Sequence, residues 1–333
     1  MCNSICNSTC NSIIIRYGEI GIKGKNRGLF EKQLLSNIKE MLIYDKIRFK
    51  MVYRAQNRVI VEFDAEKKNE KDKINNEILK SLCSLKKIFG IISFSPALRT
   101  CLDLDEIKRN ALLFYNLRNC EINEGEKDKN RKNESTFRIT TQRINKSFPL
   151  NSQRINEEVG AFVVERTGAK VNLKKPEINI GIEILDNAYV FLERIRGLGG
   201  LPFSKKDFFA IELKNKNSLI ASLCMMKRGL KPIFILKNKN YEKRRNLLFL
   251  IAPFLSGKLN IEAIEGDFDY ENKIVEILNS KNAIFVSEIA EVSEKNIEEL
   301  QKLKNCYGSV LAPLILMEKE KKNYYKKLLM KKR

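Results

Sequence analysis

Residues 213–229, LKNKNSLIASLCMMKRG, are the stretch that decides the fold of the C-terminal part of the chain. They follow a short hydrophobic run, DFFAIEL at residues 207–213, and precede another, KPIFIL at residues 231–236. Strand, loop, helix and strand in this order form a βαβ unit, whose loop commonly binds phosphate at the helix N-terminus. Glycines in that loop let the backbone approach the phosphate closely. This loop reads KNKN without glycine, so the sequence leaves open whether the protein binds a nucleotide or keeps only the scaffold.

The segments on either side predict three folded parts. From residue 205 strands and helices alternate, which predicts a three-layer α/β domain at residues 204–333. Residues 13–120 read as β-α-β-β-α-β, the ferredoxin-like order, with a last strand ending at Pro96. The charged, aperiodic residues 121–134 predict an exposed linker. Residues 135–203 then form a further unit, predicted to contain strand 137–143, helix 151–167, strand 178–184 and strand 188–195, with a hairpin across residues 185–188.

Composition limits the possible chemistry. The net charge is +21 and the pI about 9.5, which favours a polyanion such as nucleic acid as partner, although a lysine- and asparagine-rich composition alone could give the same charge. Histidine is absent, which excludes a Ser-His-Asp triad, a Cys-His pair and histidine metal ligands. No apolar run is long enough to span a membrane and the start does not resemble a secretory signal. We therefore expect a soluble, cytoplasmic protein.

Three of the eight cysteines, Cys2, Cys6 and Cys10, lie in the repeat CNSICNSTCNS at residues 2–12. Three thiolates at this spacing could bind zinc or an iron–sulfur cluster if a fourth ligand came from elsewhere. Asparagine and serine do not form a rigid ligand loop, so the repeat favours a disordered tail at residues 1–12 without a metal site. Cys224 lies between apolar residues on a predicted helix and is interpreted as a core residue.

Four segments resemble the tRNA sulfurtransferase family, which makes 4-thiouridine in tRNA. They are RYGEIGIKGKNRGLFEKQL at residues 16–34, IFGIISFSPA at 88–97, TQRINKSFPLNSQRINEEVGAFVVERTGAKVNL at 141–173 and ERIRGLGGLP at 193–202. The resemblance covers residues 13–202 almost continuously. It implies a ferredoxin-like domain, a THUMP domain that binds the acceptor end of tRNA, and a C-terminal PP-loop domain that adenylates uridine with ATP. It also implies tRNA as partner, and the family precedent suggests a homodimer.

The predicted THUMP domain carries a cluster of cations that would release counterions from an RNA backbone. The candidate RNA-binding residues are Arg138, Arg143, Lys146, Arg154, Lys170, Lys174 and Lys175. Each of them alone would be read as a solvated surface residue. Asn151 or Ser152 is predicted to cap the helix that follows Phe148 and Pro149, where backbone N–H groups could also meet a phosphate.

The loop departs from the family pattern S-G-G-x-D-S. The match of MMKRG at residues 225–229 aligns residues 213–218 with that pattern. Lys214 and Asn215 replace the two glycines, Asn217 replaces the acid that would help hold Mg²⁺, and only Ser218 is retained. The later segment at residues 286–296 lacks the family's glycines, and its distance from Gly229 is shorter than in the family. The loop and the later segment are therefore interpreted as a degenerate, shortened PP-loop domain with no catalytic residues.

Two functions follow from this interpretation. The first is a tRNA-binding protein without adenylation activity, with no cofactor and no metal, which acts as an RNA chaperone, as the partner of an active modification enzyme or as its modulator. The alternative is an active sulfurtransferase that uses ATP and Mg²⁺ through an unusual loop, with sulfur delivered by the N-terminal cysteines. A methyltransferase or a zinc deaminase on the same platform is disfavoured, because the chain has no glycine-rich cofactor loop after a strand and no Cys/His zinc set.

Overall fold

The computed structural model describes most of the chain, namely residues 10–22, 24–63, 71–125, 135–204, 206–237, 241–264 and 269–330. They form two compact units that draw on alternating parts of the chain. The first unit contains the chain up to Gly21 with Asp45–Lys86 and Ile91–Gly197, and the second contains Ile22–Tyr44, Lys87–Gly90 and the chain from Leu198 onward. No helix within these described ranges is long and apolar enough to cross a membrane.

The strands and helices follow in chain order. They are β1 (Ser12–Arg16), α1 (Arg27–Tyr44), β2 (Met51–Ala55), β3 (Arg58–Glu62), α2 (Lys71–Leu85), β4 (Ser93–Thr100), α3 (Leu104–Gly125), β5 (Phe137–Arg143), α4 (Ser152–Thr167), β6 (Ile178–Ile184), β7 (Ala188–Phe191), β8 (Ile195–Arg196), β9 (Phe208–Glu212), α5 (Lys216–Lys227), β10 (Lys231–Lys237), α6 (Tyr241–Ile251), β11 (Asn260–Ile264), α7 (Tyr270–Lys281), β12 (Ala283–Val286), α8 (Glu294–Tyr307), β13 (Val310–Leu311) and α9 (Lys319–Met330).

One eight-stranded sheet forms the first unit, in the order β2-β3-β1-β4-β7-β6-β5, with β8 also paired to β4. Strand β4 joins its two halves, because residues 93–97 pair with β1 and residues 98–100 pair with β7. Strands β6 and β7 form the predicted hairpin, with Ile184 opposite Ala188. The prediction that the strand ends at Pro96 is wrong: it continues to Thr100, because its last residues pair with β7, a strand far away in the sequence.

The prediction of a linker at residues 121–134 is wrong for residues 121–125, which belong to helix α3. Helix α3 continues to Gly125, and Arg118 binds Glu121 one turn further along the helix at 2.9 Å. An i,i+3 ion pair of this kind stabilises a helix whose surface is rich in charge, so charge density alone did not indicate a loop. Residues 126–134 lie outside the described part of the chain.

The chain packs against the first sheet from residue 10 onward. Cys10 is buried, the Ser12 hydroxyl donates to the carbonyl oxygen of Ala97 at 3.0 Å, and the Asn11 side chain accepts from the Arg99 amide at 2.9 Å. Strand β1 therefore begins at Ser12, and Cys10 and Asn11 are packed just before it, whereas the sequence placed all three residues in the tail. Cys2 and Cys6 lie outside the described residues, so the interpretation of the cysteine repeat stays a prediction.

A buried carboxylate connects the two halves of the first sheet. Glu183 on β6 is 1% exposed and accepts from Arg16 Nε on β1 at 2.5 Å and from Arg58 Nε on β3 at 2.7 Å. Arg194 approaches the same carboxylate at 3.4 Å. Two buried guanidinium groups therefore depend on one carboxylate for their counter-charge.

The second unit contains a five-stranded, fully parallel sheet in the order β11-β10-β9-β12-β13. Its core includes Phe209 and Ile211 of β9, Leu219 of α5 and Phe234 of β10. This confirms the predicted C-terminal α/β domain. The chain runs from β9 to β10 and β11 on one side and returns to β12 on the other, so the strand order reverses between β9 and β12. Open α/β sheets bind ligands at the carboxyl ends of the strands at this point.

Candidate RNA-binding surface and nucleotide loop

Two of the seven predicted RNA-binding cations hold the backbone of the first unit. Arg138 on β5 donates from Nε to the Asn179 side chain at 3.0 Å and from Nη1 to the carbonyl oxygen of Leu173 at 2.8 Å. Arg143 at the end of β5 donates from Nη1 to the carbonyl oxygens of Phe148 at 3.0 Å and Leu150 at 3.3 Å. Both guanidinium groups therefore shape the loops beside them, a role that the charge pattern did not indicate.

Arg154 and Lys146 lie near the start of helix α4. Arg154 is exposed but forms ion pairs with Glu157 at 3.4 Å and Glu158 at 2.9 Å on its own helix, which reduces its positive field. Lys146 is exposed in the turn that Arg143 holds. Asn151 caps the helix as predicted, accepting from the Arg154 amide at 2.8 Å, so that N–H group already has a partner.

The strongest candidate for RNA contact is the segment 170–175, KVNLKK, which we name the lysine loop. Lys170, Lys174 and Lys175 are all exposed. The Asn172 side chain accepts from the backbone amides of Lys174 at 3.2 Å and Lys175 at 3.0 Å, which fixes the turn that carries both lysines. The sequence identified the lysines but missed Leu173, whose side chain is 68% exposed between them.

The nucleotide loop lies at the carboxyl end of β9, but its backbone donors are occupied by its own side chains. The Asn215 side chain accepts from the amides of Asn217 at 2.7 Å and Ser218 at 3.3 Å. The Ser218 hydroxyl accepts from the amides of Lys214 at 3.1 Å and Asn215 at 3.4 Å. This reciprocal capping box uses four N–H groups of the kind that would cradle phosphate.

Lys214 points into a group of carboxylates that the sequence analysis did not identify. Its Nζ lies 3.4 Å from Glu212 at the end of β9, 3.3 Å from Glu288 after β12 and 4.0 Å from Glu299 on α8. Burial alone would lower the pKa of Lys214, but the charges of these carboxylates outweigh it and raise the pKa. Glu212 and Glu288 lie at the carboxyl ends of adjacent parallel strands, so the strand order of the sheet is the information that brings them together.

We name Lys214 with Glu212, Glu288 and Glu299 the lysine-carboxylate cluster. It lies at the point where the strand order of the second sheet reverses. Arg244 also lies 3.8 Å from Glu212, so three carboxylates face two cations and the remaining negative charge would repel a triphosphate. Asn217, in the position of the family's acid, brings no charge for a metal. The residues of this loop therefore do not fit ATP and Mg²⁺ in the manner of the family's loop.

Cys224 on α5 is partly buried against the core of the second unit. Burial raises the pKa of its thiol to about 11, although a hydrogen bond with Tyr325 acts in the opposite direction. A thiol with this pKa is almost fully protonated at neutral pH and is a poor nucleophile. The predicted packing role agrees with this environment.

Comparison with known proteins places the chain in a family. A model of the ThiI ferredoxin-like domain matches residues 12–95 and a model of the THUMP domain matches residues 121–193. A probable tRNA sulfurtransferase of Methanocaldococcus jannaschii is 32% identical over 277 residues, which cover 82% of this chain and 67% of the relative. The chain belongs to the tRNA sulfurtransferase family. A second relative of that name, from Thermococcus kodakarensis, is 35% identical over 241 residues, 71% of this chain and 58% of its own length.

One further relative has the same name, and two solved structures share the fold. A probable tRNA sulfurtransferase of Mycoplasmopsis synoviae is 37% identical over 226 residues, 67% of this chain. The matched region spans only about half of that relative, 50% of its length. A crystal structure from Pyrococcus horikoshii Ot3 aligns with a TM-score of 0.80 at 30% identity, covering 96% of this chain and 99% of that one. A 4-thiouridine synthetase–RNA complex with bound ATP shares the fold, with a TM-score of 0.68 at 22% identity over 96% of this chain and 85% of that one.

Proposed function

We propose that this family member binds tRNA and does not itself adenylate it. The single observation that supports this most strongly is the lysine-carboxylate cluster, which stands where a phosphate-binding loop would have to be open and positively charged. The relatives carry the name tRNA sulfurtransferase, and one solved neighbour holds both RNA and ATP. In this chain the THUMP match and the lysine loop support tRNA binding. The lysine-carboxylate cluster argues against adenylation with ATP.

The protein would then present tRNA to another protein or stabilise the tRNA fold. Either role needs affinity for the phosphate backbone, which lysines supply without sequence preference. It needs no cofactor, and the partner is tRNA, alone or together with a modification enzyme or a second copy of the chain. We expect the protein to be located in the cytoplasm, together with the tRNA modification enzymes of this family.

Replacing Lys146, Lys170, Lys174 and Lys175 together by alanine should weaken tRNA binding and flatten its salt dependence. Each lost phosphate contact lowers the slope of log K against log salt by about one, so the slope should fall by about three to four. Fluorescence anisotropy with labelled tRNA between low and physiological salt measures both values. Arg143 is left intact, because its loss would deform the turn that carries Lys146.

A matched control removes four exposed lysines from the second unit, Lys295, Lys302, Lys304 and Lys319. The control has the same net charge, so a general charge effect would change both variants alike. If both variants lose the same affinity and slope, the lysine loop is not the RNA contact and the proposed placement is wrong.

A further inference from the structure

A cavity of about 480 Å³ opens in the second unit at the amino ends of β9, β10 and β11. Phe208, Lys231 and Asn260, the first residues of these three strands, all line it. The nucleotide loop lies at the other end of the same sheet, about 13 Å away along the five residues of β9. The cavity is therefore separate from the crevice in which the family's loop stands.

One wall of the cavity is aromatic and held in place by the core. Phe203 and Phe254 line it, and both pack against the buried Phe89, with ring centroids 5.5 Å and 6.3 Å apart. Met41 of α1 and Ile233 of β10 also line the cavity, although each is only 2% exposed. A rigid aromatic and aliphatic wall of this kind suits a flat, apolar-faced group such as a nucleobase.

A tight turn against α1 forms another part of the wall. Gly257 has φ 70°, and a Cβ at this position would lie 2.4 Å from the Tyr44 ring, so the turn can approach the helix this closely only with glycine. The Ser256 hydroxyl lies 3.6 Å from the Met41 sulfur. The same turn carries Lys258 to the cavity mouth.

The charged side chains that line the cavity carry one more positive than negative charge. Lys231, Lys258 and Lys281 line it, together with the carboxylates of Glu40 and Glu262. Burial alone would raise the pKa of Glu40, yet the hydrogen bond from Lys258 at 3.0 Å and the charge of Lys231 contribute to a net lowering of that pKa. Lysine side chains bind phosphate as point charges. Lys258 and Lys281 are both exposed beside this pocket, although Lys258 also binds Glu40.

We propose that this cavity binds a nucleotide, with the base against the partly exposed Phe203 and the phosphate near Lys258 and Lys281. A volume of about 480 Å³ lies within the usual range for small-molecule sites. Two sources can supply this nucleotide: a free mononucleotide or one unstacked nucleotide of a bound RNA. This site lies outside the lysine loop, so it goes beyond the proposed function.

The test titrates AMP, UMP and inorganic phosphate into the full chain, using ligand-observed NMR and calorimetry. We expect both nucleotides to bind at millimolar concentration or below. Inorganic phosphate should bind at least about tenfold more weakly, because it lacks the stacking contribution. Replacing Lys258 and Lys281 by alanine should weaken nucleotide binding at least about fivefold, since two cations at the mouth are removed. The control variant, Lys302→Ala with Lys304→Ala on α8, should bind as the wild type does.

Prebound tRNA distinguishes the two sources. If tRNA displaces AMP and the Lys258/Lys281 variant also binds tRNA less well, the occupant is a nucleotide of the RNA. If AMP binds equally with and without tRNA, the occupant is a free nucleotide. The four-lysine variant described above should still bind AMP, which separates this test from that of the lysine loop. No nucleotide binding, phosphate binding as tight as nucleotide binding, or equal losses in the control would each overturn the proposal.

Discussion

Replacing Glu183 by glutamine should lower the free energy of unfolding of the first unit by about 3–5 kcal/mol, the usual cost of breaking a buried ion pair on one side. The carboxylate is 1% exposed and accepts from both Arg16 and Arg58, whose side chains are 5% and 9% exposed. Burial lowers the pKa of Arg16 to about 10, so the guanidinium group is still charged at neutral pH. A neutral amide would leave two buried cations without a counter-charge and would direct N–H donors at other donors.

Urea denaturation followed by circular dichroism measures this loss. Glu165→Gln on the exposed face of α4 removes the same charge and is the matched control, with an expected change within about 0.5 kcal/mol. If Glu183→Gln behaves like this control, the carboxylate does not hold the two halves of the sheet together.

Replacing Lys214 by methionine should destabilise the second unit by about 2 kcal/mol at pH 7. The value is below that of a fully buried pair because the lysine side chain is 32% exposed and partly screened by solvent. Without the ammonium, Glu212 and Glu288 repel each other across adjacent strand ends.

In the wild-type protein, the stabilisation that Lys214 contributes should be lost in alkali. The pKa of Lys214 is raised above its ordinary value of 10.5, so the folded state holds this proton more tightly than the unfolded state. Its contribution is fully present below pH 10.5 and is lost as the pH rises through the folded pKa. Lys216→Met, two residues further along the chain and exposed, is the control and should change neither the stability at pH 7 nor its loss in alkali. Equal stability of the Lys214 and Lys216 variants from pH 4 to 9 would show that the cluster contributes nothing.

The sequence predicted what depends on local periodicity and on turn chemistry. The alternating strands and helices after residue 205, the hairpin across residues 185–188 and the Asn151 cap all depend on neighbouring residues, and all are present in the structure. Strand β4 extends past Pro96 because it gains a partner, β7, about 90 residues further along the chain, which no local pattern encodes.

The candidate sites were predicted less completely, because the sequence shows the charged residues but not the groups with which they pair. Arg138 and Arg143 contribute to the predicted cation cluster, but their guanidinium groups hold backbone carbonyls. Lys214 stands in the sequence as the replacement of a loop glycine, whereas in the structure it pairs with Glu288 and Glu299, more than 70 residues later. Long-range ion pairs of this kind become visible only when the strand order of the sheet is known.

Pyrophosphate release from MgATP in the presence of tRNA tests the absence of adenylation most directly. A family enzyme with an intact S-G-G-x-D-S loop serves as the positive control in the same assay. We expect no tRNA-dependent pyrophosphate above the level without protein, and no saturable MgATP binding by calorimetry in the micromolar range. Asn217→Asp alone should restore neither, because the glycines are still missing and Lys214 is still held by its carboxylates. Pyrophosphate released by the wild type in proportion to added tRNA would contradict the account and would show an active sulfurtransferase.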